Sequence, residues 1–194
     1  MFDQPADLIR DGALVVRVAN GDVAAANELI GLLAPKLLSH AKRVLGNQHD
    51  AEDAVQETFV RLWKVAPVWR QGEARVYTWC YRVLVNLCTD RLRARRPSVD
   101  IDAIAEPASD MVSAVEEMTE RQRAVALEDA LSMLPDRQRQ AVILRHLEQM
   151  SNPEIAEIMD MSVEAVESLT ARGKRNLKAA LQGRRAELGY EDDG

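Results

Sequence analysis

The chain has 194 residues, 25 Lys and Arg against 31 Asp and Glu, and a formal charge of −6. At 47% hydrophobic and 29% charged it is too apolar for a disordered chain, and its length suits one domain or two small ones. No apolar run reaches the ~18 residues of a membrane span, and two cysteines, Cys80 and Cys88, build neither a disulfide scaffold nor a zinc knuckle.

Aromatics are only 4%, and the abundance of Ala, Leu, Val, Glu and Arg favours helix over strand. The first twelve residues carry Asp3, Asp7, Arg10 and Asp11 and do not read as a signal peptide. An amphipathic segment around Leu14, Val15 and Val18 breaks at Asn20-Gly21-Asp22. A second helix is predicted over about 23–45, with Leu29, Leu32, Leu33, Leu37 and Val44 on its apolar side and Gly46-Asn47 as its stop. A third spans about 50–65 and ends before Pro67; a fourth runs over about 76–95 and stops at Pro97. Residues 97–112, with two prolines, several acids and no helical period, read as a linker. Beyond it a helix is expected over about 113–133, opened by the capping-box pattern Ser113…Glu116, and another over about 136–147 after Pro135. The stretch 152–181 reads as a helix pair, with Asn152 as N-cap, Pro153 at the first helical position and a turn at Asp160-Met161-Ser162. The expected fold is all-α: two small helical domains joined by a flexible acidic linker.

Charge is partitioned along the chain. Residues 97–118 hold six acids and no base, whereas Arg91, Arg93, Arg95 and Arg96 bunch before them. Arg172, Lys174, Arg175, Lys178, Arg184 and Arg185 fall in a stretch without acids. Two basic clusters in an acidic chain fit two separate anionic contacts. Cations complementing helix C-terminal dipoles fit as well.

The pair at 152–181 has the layout of a helix-turn-helix, whose second helix enters the major groove. Its open face carries Glu164, Ala165, Ser168, Arg172 and Arg175, and Lys174 adds a further cation. The arginines suit phosphates or guanine edges, and Glu164 suits a cytosine amino group. An ordinary helix hairpin is the plainer alternative. In the first half, Asp50, Asp53, Glu57, Arg61 and Lys64 lie opposite the apolar stripe Ala51, Val55, Phe59, Leu62 and Ala66. A rigid row of acids can grip a basic partner, and it can equally be a solvated face. Six of the eight aromatics (Phe59, Trp63, Trp69, Tyr77, Trp79, Tyr81) fall within 23 residues and lead into Arg82, Asn86, Arg91, Arg93 and Arg95. Rings beside cations suit single-stranded nucleic acid, and an aromatic core claims at least Phe59 and Trp63. His40, His49 and His146 are scattered and read as surface or structural. Cys80 and Cys88 read as buried small hydrophobes, with redox sensing as the minor alternative. No catalytic constellation, cofactor site or metal site is expected.

DAEDAVQETFVRLWK (residues 50–64) followed by YTWCYRVLVNLCTDRLRARR (77–96) resembles region two of bacterial RNA polymerase sigma factors of the extracytoplasmic-function (ECF) class. LPDRQRQAVILRHLEQMSNPEIAEIMDMSVEAVESLTARGKRNLKAAL (134–181) is similar to their region four. The resemblance implies that residues 1–96 bind core polymerase and open the −10 element, 119–182 read the −35 element, 97–118 link them and 183–194 form a polar tail. It implies that Asp50, Asp53, Gln56, Glu57 and Arg61 meet the clamp helices of the polymerase. Trp69, Tyr77, Trp79, Arg82, Asn86, Arg91, Arg93 and Arg95 would meet the −10 DNA, with Asn86 at a flipped-out base. Glu164, Ala165, Ser168, Arg172, Lys174 and Arg175 would meet the −35 duplex, and the same domain would touch the polymerase flap. An anti-sigma factor as regulator, promoter DNA as partner, a cytoplasmic location without membrane insertion and a non-enzymatic role are implied likewise. Glu164 and Glu167 stand where the family commonly has glycine and a basic residue, which makes a sigma-like decoy for an anti-sigma factor the alternative.

Overall fold

In the computed structural model, residues 5–70, 75–95 and 116–182 are described, and among these every regular element is helical. Four helices form the first unit: α1 (Pro5–Ala19), α2 (Val23–Leu45), α3 (Gln48–Val65) and α4 (Val76–Arg95). The second contains α5 (Glu116–Ser132), α6 (Asp136–Val142), α7 (Asn152–Met159) and α8 (Val163–Gln182). The acidic residues 97–112 and Ser113, the first member of the expected capping box, lie outside the described residues.

Local chemistry sets most boundaries. Asp22 caps α2 by accepting from the Ala25 N–H at 3.1 Å, and Gly46, at φ 64°, closes it with its N–H on the Lys42 carbonyl at 2.8 Å. The expected start of the third helix at Asp50 is two residues late. Asn47, read as part of the stop, is also the next N-cap: its side chain accepts from the Asp50 N–H at 3.0 Å, so α3 begins at Gln48.

Two expectations in the second half need correction. The helix foreseen over 136–147 is α-helical only to Val142, and Ile143–Leu147 form a π turn. There the Glu148 N–H reaches the Ile143 carbonyl at 3.0 Å, and Gln149 follows in the left-handed region at φ 56°. The N-cap of α7 is Ser151, not Asn152. The Ser151 hydroxyl accepts from the Glu154 N–H (3.4 Å), and the Glu154 carboxylate accepts from the Ser151 N–H (2.9 Å). Asn152 instead donates its side-chain amide to Glu167 of α8 at 3.3 Å, so Pro153 moves to the second helical position.

The turn to α8 is as expected. Asp160 ends α7 at φ 52°, and the Ser162 hydroxyl caps α8 through the Ala165 N–H at 3.2 Å. In the first unit α2 lies along α3, with Leu29, Leu33, Leu37 and Val44 fully buried against Leu62, Tyr81 and Leu84 in one apolar core. In the second, Leu131, Ile143, Leu144, Ile155, Ile158 and Val166 are buried likewise. The two units are not merely tethered. Their cores merge into one cluster, and α4 packs directly on α7.

Candidate polymerase and promoter interfaces

The acidic side of α3 is built as its spacing implies, with Gln56 exposed and Asp53 and Glu57 partly exposed. Glu57 accepts from the Arg61 Nε at 2.9 Å. That bond, and behind it the charges of Arg61, Lys64 and Arg91, hold its carboxyl below the usual value. Asp53 lies 3.9 Å from the His49 imidazole, one turn away. Asp50 departs from the rest: it forms an ion pair with Arg95, which also donates to the Leu45 carbonyl at 2.8 Å. Two residues expected on different partners thus hold one another, and Arg95 satisfies the C-terminus of α2.

On α4 the arginines divide by face. At 3.6 residues per turn, Arg82, Asn86 and Arg93 share one exposed line. Arg91 looks the other way and contributes to the field at Glu57, and Arg95 faces the end of α2. The aromatics divide too. Trp69 and Trp79 meet edge to face with centroids 6.0 Å apart, both partly exposed, and the Trp69 indole N–H is buried without an acceptor. Phe59 and Trp63 stack at 5.7 Å beside the core, as foreseen. Tyr77 packs on Tyr81 at 4.6 Å, and burial raises the Tyr77 phenol to about 12. Tyr81 is itself 1% exposed and donates its hydroxyl to Glu148 at 3.3 Å, so it serves the contact between units.

On α8, Glu164, Ser168, Arg172 and Arg175 form one exposed line, with Ala165 partly covered at its edge. Arg172 folds back on its own helix, donating to the Ser168 carbonyl (3.2 Å) and hydroxyl (2.8 Å). Its own backbone N–H in the first turn of α8, and then the Ser162 side chain, hold the Glu164 carboxyl below its usual value. Lys174 does not join this line. It stands on the flank beside His146, where it lines an apolar groove with Leu127, Leu131 and Leu177.

Residues 29–97 match the family model of Sigma-70 region 2, and residues 124–177 that of Sigma-70 region 4. The ECF RNA polymerase sigma-E factor of Haemophilus influenzae is 33% identical, with 91% of this chain and 98% of that protein aligned. The chain belongs to the ECF RNA polymerase sigma factors. Its function is accordingly to direct promoter recognition and transcription initiation by RNA polymerase.

The sigma-E factor of Escherichia coli K12 is 32% identical over 90% of this chain and 95% of its own. Among solved structures, CnrH in complex with the cytosolic domain of CnrY superposes with a TM-score of 0.67 at 25% identity, covering 90% of this sigma factor and 98% of that chain. The sigma factor RpoE of Bartonella quintana, solved with the anti-sigma factor NepR, shares the fold (TM-score 0.63, 23% identity, 80% and 96% covered).

Sequence patterns missed the residues that join the two units. Arg139 is 8% exposed and donates to the carbonyls of Val44 (2.7 Å), Ser132 and Leu134 (3.4 Å). Gln140 is 1% exposed and donates to the Thr89 hydroxyl at 3.1 Å. In DRQRQ both read as solvated polar positions, and nothing local marks them as buried. Gly173 had a signal that went unused: an isolated glycine inside a helix commonly marks close packing. A Cβ there would lie 2.5 Å from Val142 Cγ2 and 3.2 Å from the Gln138 carbonyl oxygen. Among the described residues no cluster of three or more His, Cys, Asp or Glu is placed to hold a metal, and no helix is long and apolar enough to cross a membrane.

Proposed function

We propose that this sigma factor meets its partners through three helix surfaces. Asp53, Gln56, Glu57 and Arg61 of α3, with Asp50 contributing once released from Arg95, grip the clamp helices of core polymerase. Arg82, Asn86 and Arg93 of α4, with Trp69, Tyr77 and Trp79, capture the opened −10 strand, Asn86 at a flipped-out base; Arg91 and Arg95 reach its backbone from the flank. Glu164, Ala165, Ser168, Arg172 and Arg175 of α8 read the −35 duplex, and Lys174 adds a phosphate contact from the side. On this reading residues 1–96 and 119–182 are the two functional domains, 97–118 their linker and 183–194 a tail. The domain at 119–182 also takes the polymerase flap. The protein works in the cytoplasm, on the nucleoid when active, by binding alone and with no catalytic step of its own. That a solved relative is held by an anti-sigma factor supports the same control here.

The observation that carries the reading is the line Asp53, Gln56, Glu57 on one face of α3, Gln56 exposed and the two acids partly so, which no core contact explains. Asp53→Arg is expected to abolish co-elution with core RNA polymerase on a sizing column while circular dichroism stays unchanged. Arg175→Ala should leave co-elution intact and weaken binding to a −35 duplex. Undiminished co-elution of Asp53→Arg overturns the assigned face. A folded wild-type chain that never co-elutes favours the decoy that Glu164 and Glu167 suggest.

A further inference from the structure

Two acids stand in the part of α8 that is to meet a polyanion, and the fold gives them different places. Glu167 is turned back on α7: the Asn152 side-chain amide donates to its carboxylate at 3.3 Å and ties the two helices of the helix-turn-helix together. Glu164 has no part in that tie. It is exposed in the first turn of α8, directly after the Ser162 cap, at the head of the line Ser168, Arg172, Arg175.

Hydrogen-bonding character changes along that line. Arg175 and Arg172 only donate, and Ser168 can do both. Glu164, its carboxyl held ionised by its own backbone N–H and Ser162, only accepts. Arg172 is held toward the Glu164 end of the helix, its Nε on the Ser168 carbonyl at 3.2 Å and its Nη2 on the Ser168 hydroxyl at 2.8 Å. A recognition helix in the major groove sets its N-terminal residues on base edges. A carboxylate there is repelled by phosphates and by the acceptors guanine N7 and O6, adenine N7 and thymine O4. Two groups on the groove floor donate, cytosine N4 and adenine N6. The adenine amino group lies between two acceptors, its own N7 and the O4 of the paired thymine. The cytosine amino group has an acceptor, the O6 of the paired guanine, on one side only.

We infer that Glu164 is a specificity-determining residue that selects a cytosine in the −35 duplex by accepting from its N4 amino group, whereas Glu167 braces the helix pair and reads nothing. The inference rests on the placement of α8 in the −35 major groove proposed above. It also fixes a spacing. From Glu164 to Arg172 the helix rises about 12 Å, so the cytosine lies about three to four base pairs from the position that Arg172 reads.

The test is selection of tight binders by the full chain from duplexes randomised over one helical turn. The wild-type chain is expected to enrich one cytosine, preferred about tenfold over the other bases. Glu164→Ala should lose that preference and keep the rest of the selected sequence. Glu164→Gln should move it to adenine, whose N6 and N7 a carboxamide meets together. Glu167→Ala should select the wild-type sequence. Circular dichroism checks that these surface variants are folded. Arg172→Ala separates the two premises. If the wild-type chain selects no sequence, or Arg172→Ala leaves its selection unchanged, the −35 placement of α8 fails and the inference falls with it. If Arg172→Ala changes the selection, three results overturn the inference alone. One is a Glu164→Ala chain that selects the wild-type sequence, with or without a uniform gain in affinity from removed repulsion. Another is enrichment of a base other than cytosine at the position that Glu164→Ala alters. The third is loss of the cytosine in Glu167→Ala and not in Glu164→Ala.

Discussion

His40 lies in the core of the first unit, fully buried, with neither ring nitrogen partnered and its ring edge-on to Tyr81 at 5.5 Å. Burial first, and the nearby Arg43 charge second, depress its pKa from 6.5 to about 3. In the unfolded chain the imidazole takes up its proton near pH 6.5, while in the folded chain it does so only near 3. Between those values the unfolded state binds more protons, so stability falls as pH drops through this window. The thermal midpoint should therefore decline from pH 7 to 5.5, above the range in which carboxylates titrate, and His40→Leu should flatten that decline. Equal slopes for the two proteins would remove His40 as the cause. The opposite logic governs Cys88, whose thiol burial pushes up to about 12. It stays protonated at neutral pH, and with Cys80 also buried and neither residue in a disulfide the pair packs as small hydrophobes.

At the scale of elements, hydrophobic period and punctuation located the helices well, because caps and breakers act within a few residues of chain. Asp22, Gly46 and Ser162 do what their residue types favour. The errors are of the same local kind. Asn47 caps α3 directly after Gly46 has closed α2, and Ser151 outcompeted Asn152 because Glu154 stands three residues on to complete the reciprocal pair. The π turn was invisible, since one extra residue in a turn leaves the apolar pattern of Ile143 and Leu144 intact. Gly173 shows tertiary packing overriding propensity. Alanine there would gain about 1 kcal/mol of helix propensity. Its Cβ would instead press on Val142 and on the rigid Gln138 carbonyl, and such overpacking costs about 1–3 kcal/mol. Gly173→Ala should lower the denaturant midpoint, and a raised midpoint would show that α6 and α8 can separate freely.

For the whole molecule, Arg139 is the residue on which the most depends. One guanidinium serves the end of α2 and the α5–α6 turn together. Arg139→Met should cost about 2–4 kcal/mol, because buried carbonyls lose their donor. In calorimetry the midpoint should fall by roughly 5–10 °C, and the single transition should split as the units lose their coupling. One unshifted transition would mean that the units are joined by other contacts.

The candidate surfaces were legible from the residues to the extent that each lies on one helix. The α3 acids and the α8 line Glu164, Ser168, Arg172, Arg175 follow from a 3.6-residue period and need no knowledge of neighbours. Composition and period likewise determined an all-helical chain with a capped helix pair at 152–181. Only the tertiary structure decided which of the basic residues stand free. Arg95 is turned to Asp50 and the end of α2, Arg82 to α7, and Lys174 to the flank of α8. It also decided that Tyr81, Arg139, Gln140 and Glu148 join two units that the sequence presents as separate. The reason is physical: periodicity reports which side of a helix is apolar. A polar side chain buried between helices is paired with groups up to a hundred residues away, and no local pattern encodes that distance.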